Sequence, residues 1–104
     1  MILNDFYTII AHDETRFCIK LSDASHPIFQ AHFPTYPIVP GFILLDISAE
    51  VLGIEIFKIK KTKFLQNIAP QSVLYFDVTR KENVFKIIIT QNEQKVAELH
   101  YEKR

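Results

Sequence analysis

Two glycines are all this 104-residue chain contains, and they bracket its longest apolar run, Gly41 to Gly53. The segment Gly-Phe-Ile-Leu-Leu-Asp-Ile-Ser-Ala-Glu-Val-Leu is too long for an ordinary strand and has no internal glycine or proline, so it reads as a helix over 41–52. Pro40 suits the first turn, where a missing N–H costs nothing, and Gly53 suits a left-handed C-terminal cap. The segment is apolar nearly all round. Such a helix cannot lie on a surface, so the rest of the chain must wrap it.

The remaining patterns are strands. Phe6–Ala11 and Arg16–Leu21 are β-rich runs joined by His12-Asp13-Glu14-Thr15, a turn sequence, and read as a hairpin. After the helix come runs at Ile56–Gln66, Val73–Thr79, Val84–Thr90 and Lys95–Tyr101. The links 67–72, 80–83 and 91–94 are short, so successive strands are expected to pair antiparallel. The expected architecture is α+β: one antiparallel sheet around one helix, a single domain over 1–104. At this size the core is modest, and association with a second copy would add stability.

Chemistry concentrates between the hairpin and the helix. Four of the five prolines, Pro27, Pro34, Pro37 and Pro40, fall there, and each fixes its own φ and biases its predecessor toward extended geometry. This stiffened loop carries His32, and Asp46 follows fourteen residues later inside the apolar helix. An imidazole that titrates near neutrality, paired with a misplaced acid, is what general acid–base chemistry needs. Asp46 and Glu50 are four apart and share a helix face, while Ser48 points elsewhere. That acidic stripe is either a solvated edge or, if Asp46 is partly buried, a proton donor. Val39 and Pro40 offer no side-chain cap, which leaves the first helical amides available to a carbonyl oxygen gaining charge.

Composition excludes several classes. Twelve basic and twelve acidic residues give zero formal charge, so bulk attraction to nucleic acid is not expected. One cysteine, Cys18, rules out an internal disulfide and a cysteine-rich zinc site, and reads as a buried small hydrophobe in a reducing, cytoplasmic protein. His12, His26 and His100 lack metal-ligand spacing, so no metal is expected, and His26 reads as a loop-shaping residue. No run reaches the roughly 20 apolar residues of a membrane span, and the N-terminus has no leader pattern, so a soluble, unprocessed protein is expected. Lys58, Lys60, Lys61 and Lys63 form a basic cluster. It is a solvated strand face or a landing patch for an acidic protein, with Lys61 assigned to the opposite face from Lys58, Lys60 and Lys63.

The run Pro27-x-Phe29-Gln30-Ala31-His32-Phe33-Pro34-x-x-Pro37-x-x-Pro40-Gly41 followed by Asp46 resembles the signature of the hotdog-fold 3-hydroxyacyl-acyl-carrier-protein dehydratases. The phrase Lys63-Phe64-x-x-x-Ile-x-Pro70 agrees with that family as well. The resemblance implies an antiparallel sheet wrapped around a central helix, and a homodimer in which His32 of one subunit and Asp46 of the other share a site. It implies that His32 removes the C2 proton, that the Gly41 amide polarises the thioester carbonyl, and that Asp46 protonates or orients the departing hydroxyl. Phe33, Pro40, Phe42 and Glu50 would line the substrate site, and Lys58, Lys60 and Lys63 would meet the acyl carrier protein. The substrate rides on that protein's phosphopantetheine; no other cofactor is implied.

Three positions depart from the family pattern: Ala31 replaces a glycine before the histidine, Thr35 a glycine after Pro34, and Glu50 a glutamine. Ala31 would crowd the backbone if its position needs φ > 0. The chain also starts almost directly at its first strand, without the N-terminal Pro-His segment that covers the acyl tunnel in longer relatives, so chain-length preference does not carry over. Two other functions stay open: a hotdog thioesterase, with Asp46 or Glu50 activating water, and a non-catalytic acyl-binding subunit.

Overall fold

The computed structural model describes residues 3–31 and 35–104. In chain order the elements are β1 (Tyr7–His12), β2 (Arg16–Leu21), α1 (Pro27–Ala31), α2 (Gly41–Leu52), β3 (Ile56–Phe64), β4 (Val73–Lys81), β5 (Val84–Gln91) and β6 (Gln94–Lys103). All six strands form one antiparallel sheet in the order β1-β2-β4-β5-β6-β3. Among the described residues no helix is long and apolar enough to cross a membrane.

Helix α2 has the expected bounds. Pro40 is its N-cap with extended backbone, and Gly53 ends it at φ 67° and ψ 36°. The Gly53 amide turns back to the Glu50 carbonyl, which satisfies part of the frayed last turn. Ile43, Leu44 and Ile47 sink into the core opposite Leu74, Phe76, Ile87, Ile89 and Leu99, none of them more than 1% exposed. The sheet covers only one side of α2, however. Phe42, Asp46 and Glu50, spaced four apart, form an exposed stripe down the other.

Ser48 is the polar exception inside this packing. Its hydroxyl donates to the Leu45 carbonyl at 2.8 Å and lies 2.9 Å from the Tyr101 hydroxyl, with both side chains fully buried. Since the Ser48 proton is already committed to Leu45, Tyr101 is the donor between them. This one buried bond ties α2 to β6.

The β1–β2 hairpin forms as expected, its turn held by the Asp13 carboxylate accepting from the Thr15 and Arg16 amides at 2.9 Å each. Strands β4, β5 and β6 run longer than the apolar pattern implies. They meet in two-residue turns with left-handed backbone at Glu82, and at Asn92 and Glu93. No glycine marks these turns. The expectation that successive strands pair fails at β3, which joins β6 across the sheet and leaves β4 to pair with β2. Residues 65–72 therefore cross the fold instead of making a hairpin. The second difference is α1, five residues within the proline-rich stretch. Pro27 opens it, as its fixed φ allows, and Phe29 docks it on the core with its ring centroid 5.2 Å from that of Phe6.

Replacing Ser48 with Ala leaves the Tyr101 hydroxyl buried without an acceptor and should cost about 1–3 kcal/mol in urea denaturation, whereas Tyr101→Phe, which leaves Ser48 bonded to Leu45, should cost only about 1 kcal/mol.

Candidate active site

The site elements are set by α1, the loop that follows it, and the exposed stripe of α2. His26 anchors the start of α1: its Nδ1 accepts from the Ile28 amide at 3.1 Å, so Nε2 carries the proton it donates to the Asn4 carbonyl at 2.8 Å. Its ring also meets Phe6 edge-on, with 5.0 Å between centroids. His26 thus shapes the loop, as read from the sequence. Ala31 ends α1 and is not among the residues with positive φ, so alanine fits that position without backbone strain. His32 and Phe33, the proposed base and its neighbour, lie outside the described residues, as does Pro34.

Beyond that point the chain returns to the core. The Val39 amide donates to the Ile68 carbonyl at 2.8 Å, which fixes the approach to Pro40 and Gly41. Pro40, the N-cap of α2, makes no side-chain capping bond. A Cβ at Gly41 would stand 2.8–2.9 Å from three atoms at the far end of the Phe64 ring, so a larger residue there would push that ring aside. Phe64, at the end of β3, thereby packs directly on the helix start. Around it lies a groove of about 440 Å³ lined by Ile38, Pro40, Gly41, Phe42, Phe64 and Asn67 among others. A second groove of about 360 Å³ continues past Ile38 and Asn67 to Tyr36 and Pro70. Pro40 and Phe42 therefore line a mostly apolar groove at the start of α2.

Asp46 is exposed and makes no hydrogen bond or ion pair among the described residues. The partial burial that a proton donor requires is not supplied by the chain's own sheet, because position 46 lies on the helix face that the sheet does not reach. Glu50, on the same stripe, accepts a hydrogen bond from the Tyr7 hydroxyl. Burial and then the Glu50 carboxylate push the Tyr7 phenol well above its usual range, so it stays a donor. Tyr7 carries no sequence signal for this contact, since β1 and α2 meet only through the fold.

The lysine cluster needs correction. Cross-strand partners share a face, and Lys58, Lys61 and Lys63 stand opposite Glu102, His100 and Glu98. Register shifts between Ile56 and Lys58 and between Ile59 and Lys61 break the simple alternation and leave Lys60 unpaired within the second irregularity. Lys61, not Lys60, belongs with Lys58 and Lys63. At the centre of that face Glu98 is buried and accepts from both Lys95 and His100. Those two contacts, Lys95 first, hold its carboxyl down to about 2.

Comparison with known proteins fits this architecture. Among solved structures, the dehydratase heterocomplex ApeI:P from Xenorhabdus doucetiae superimposes with a TM-score of 0.71 at 20% identity, covering 93% of this chain and 96% of that one. The pyran synthase domain from module nine of the sorangicin pathway matches with a TM-score of 0.67 at 14% identity over 92% of this chain and 38% of that one. The fold is the hotdog fold. Residues 10–100 match the ApeI-like family, described as ApeI dehydratase, and the chain belongs to that family. It is also 31% identical over 97 residues to the 3-hydroxyacyl-[acyl-carrier-protein] dehydratase FabZ of Klebsiella pneumoniae, and equally to that of Salmonella arizonae. The alignment takes in 91% of this chain, which spans 60% of the length of those relatives.

The Glu98 contacts predict an acid-side stability loss. Its carboxyl is depressed in the folded state, so its stabilising contribution is complete above the unfolded value of about 4.3 and disappears as pH falls from there toward about 2. Thermal melts between pH 6 and pH 2.5 should show a steeper decline for the native protein than for Glu98→Gln; parallel declines would contradict the assignment.

Proposed function

We propose that this protein removes water from 3-hydroxyacyl thioesters held on the phosphopantetheine arm of an acyl carrier protein, giving trans-2-enoyl thioesters for fatty-acid or polyene and polyketide-like synthesis. The observation that carries this reading is Asp46, without a partner among the described residues on the uncovered face of α2, just past the helix start at Gly41, in a chain of the ApeI-like family. In the reaction His32 takes the C2 proton. The electron pair moves into the thioester carbonyl, whose oxygen is held by the Gly41 amide at the positive end of α2. Collapse of that enolate expels the C3 hydroxyl, which leaves as water with a proton from Asp46. Electrons and protons balance without a metal or a redox cofactor. Phe33, Pro40, Phe42 and Glu50 line the substrate path, and the grooves running from Gly41 to Tyr36 offer it a mostly apolar wall.

A thioester α-proton is far less acidic than imidazolium, so the base alone is insufficient. Carbonyl polarisation and fixed geometry must each supply several kcal/mol. Asp46 must also leave water, and a second copy of the chain is the cover that fits. Strand β3 is an edge of the sheet, and its neighbourhood exposes Phe57, Ile59, Phe64 and Leu65, each 47–59% accessible. Antiparallel pairing of two such edges would join the sheets, remove this apolar surface from water and place a second molecule against the α2 stripe. A site shared between subunits, His32 from one and Asp46 from the other, follows. A second reading, a subunit working with a different ApeI-like chain, is favoured by the similar structure of the dehydratase heterocomplex ApeI:P.

The test is incubation with 3-hydroxyacyl-carrier protein and mass spectrometry of the acyl group. Loss of one water with the thioester intact is expected. Free acid would identify a thioesterase, and an unchanged substrate a binding subunit. His32→Ala should lower turnover by at least roughly 100-fold, and Asp46→Asn should also cripple it, both with unchanged melting behaviour.

A further inference from the structure

The exposed stripe of α2 carries two carboxylates, and the chain treats them differently. Asp46 has no partner among the described residues, whereas Glu50, one turn on, accepts from the Tyr7 hydroxyl. That contact comes from far along the chain. Tyr7 opens β1 and stands opposite buried Leu21 in the β1–β2 register, so both share the face turned to the core. The half-buried Tyr7 packs against that core, and its hydroxyl reaches α2 at Glu50.

A link between β1 and α2 does not by itself call for a carboxylate. The glutamine of the family pattern would accept the same hydrogen bond and bring no charge to a face that a second copy is proposed to cover. Glu50 also has no cation to balance it: it is in no ion pair among the described residues, and its side-chain partner is a neutral phenol. Burial and the Glu50 carboxylate hold the proton on Tyr7, so Tyr7 is the donor in this contact. The direction of the bond is thereby fixed. A carboxylate has two accepting oxygens, and with Oε1 taken by Tyr7 the second is left to accept from something else. An amide at position 50 would offer N–H groups there instead.

We propose that Tyr7 is a positioning residue for the substrate's 3-hydroxyl: it holds Glu50 so that the second carboxylate oxygen accepts from that hydroxyl while Asp46 stands on the other side. This rests on the dehydration reading above. Side chains four apart on a helix have Cβ atoms about 5–6 Å apart, and two O–H···O bonds of about 2.7–2.8 Å span the same distance. One hydroxyl oxygen therefore fits between the two carboxyl groups. With its O–H given to Glu50, it turns a lone pair toward Asp46. When the C3–O bond breaks, the bonding pair goes to oxygen, the Asp46 proton joins it, and water leaves still bonded to Glu50. Glu50 gains no proton and Tyr7 loses none. The pair also selects the substrate, because a saturated acyl chain leaves the second Glu50 oxygen unpaired in the covered site.

The probes are two pantetheine amides, 3-hydroxyhexanoyl and hexanoyl, in which N–H replaces the thioester sulfur so that neither eliminates nor hydrolyses. Calorimetry on the native protein should show the hydroxylated analogue bound at least roughly tenfold more tightly. Tyr7→Phe, which keeps the ring, and Glu50→Ala should each cut that preference at least roughly threefold, and the double variant should lose no more than the worse single one. A tie that only pins β1 to α2 would lower the melting temperature and leave the preference intact. No preference in the native protein overturns the proposal, as does full preference in folded Tyr7→Phe or, should that variant not fold, in Glu50→Ala. The two claims separate: preference that depends on Tyr7 and Glu50 in a native protein that dehydrates no thioester keeps this assignment and loses the reaction. Dehydration by native protein with a preference indifferent to Tyr7 does the reverse.

Discussion

Helix α2 can bury only one side against its own sheet, and the rest of the structure depends on how that side is fixed. Ile43, Leu44 and Ile47 supply the apolar contact, but apolar contact alone does not set rotation about the helix axis. The Ser48 hydroxyl does, because it has one acceptor at Leu45 and one donor at Tyr101, both in a fully buried setting. An unpaired hydroxyl there would cost more than most single contacts contribute, so the helix is held at one angle. That angle puts Phe42, Asp46 and Glu50 outward. Tyr7 then reaches Glu50 from β1, at one edge of the sheet, and Phe64 reaches Gly41 from β3, at the other. The functional stripe is held at both ends.

On the proposed reading, this arrangement leaves the site incomplete within one protomer. The apolar core is satisfied within the protomer, while the acid on α2 and the edge of β3 are left open. A chain of this size buries a limited fraction of its surface, and the proposed second copy would cover both open regions, serving stability and chemistry together. Family membership with the ApeI-like dehydratases accords with that economy.

Local signals in the sequence reached local structure. Helix α2 was legible because Pro40 with its fixed φ and Gly53 in the left-handed region mark its ends, and the His12–Thr15 turn because Asp13 is placed to accept from the amides two and three residues on. The proline-rich block is where the proposed chemistry is placed. What stayed hidden is non-local. Pairing of β3 with β6 depends on which strand edge remains after the crossover, not on the length of the 65–72 link. The irregularities around Lys58 and Lys60 invert the expected lysine face, and nothing in a run of alternating lysine and apolar residues announces them. Ser48 was legible only as pointing away from the Asp46–Glu50 face, and it proves to be the pin. Asp46 was legible as an anomaly, but its exposure depends on surroundings that the helix pattern cannot supply.

The shared site is the central claim, and mixing two inactive proteins tests it most directly. His32→Ala and Asp46→Asn proteins, each inactive alone, should recover dehydration when unfolded and refolded together in equal amounts. Half of the dimers formed at random are mixed, and one of the two sites in each is intact, so about a quarter of native activity is expected. No recovery, with mixed dimers demonstrated by native mass spectrometry, would mean that both groups act within one chain and would contradict the account.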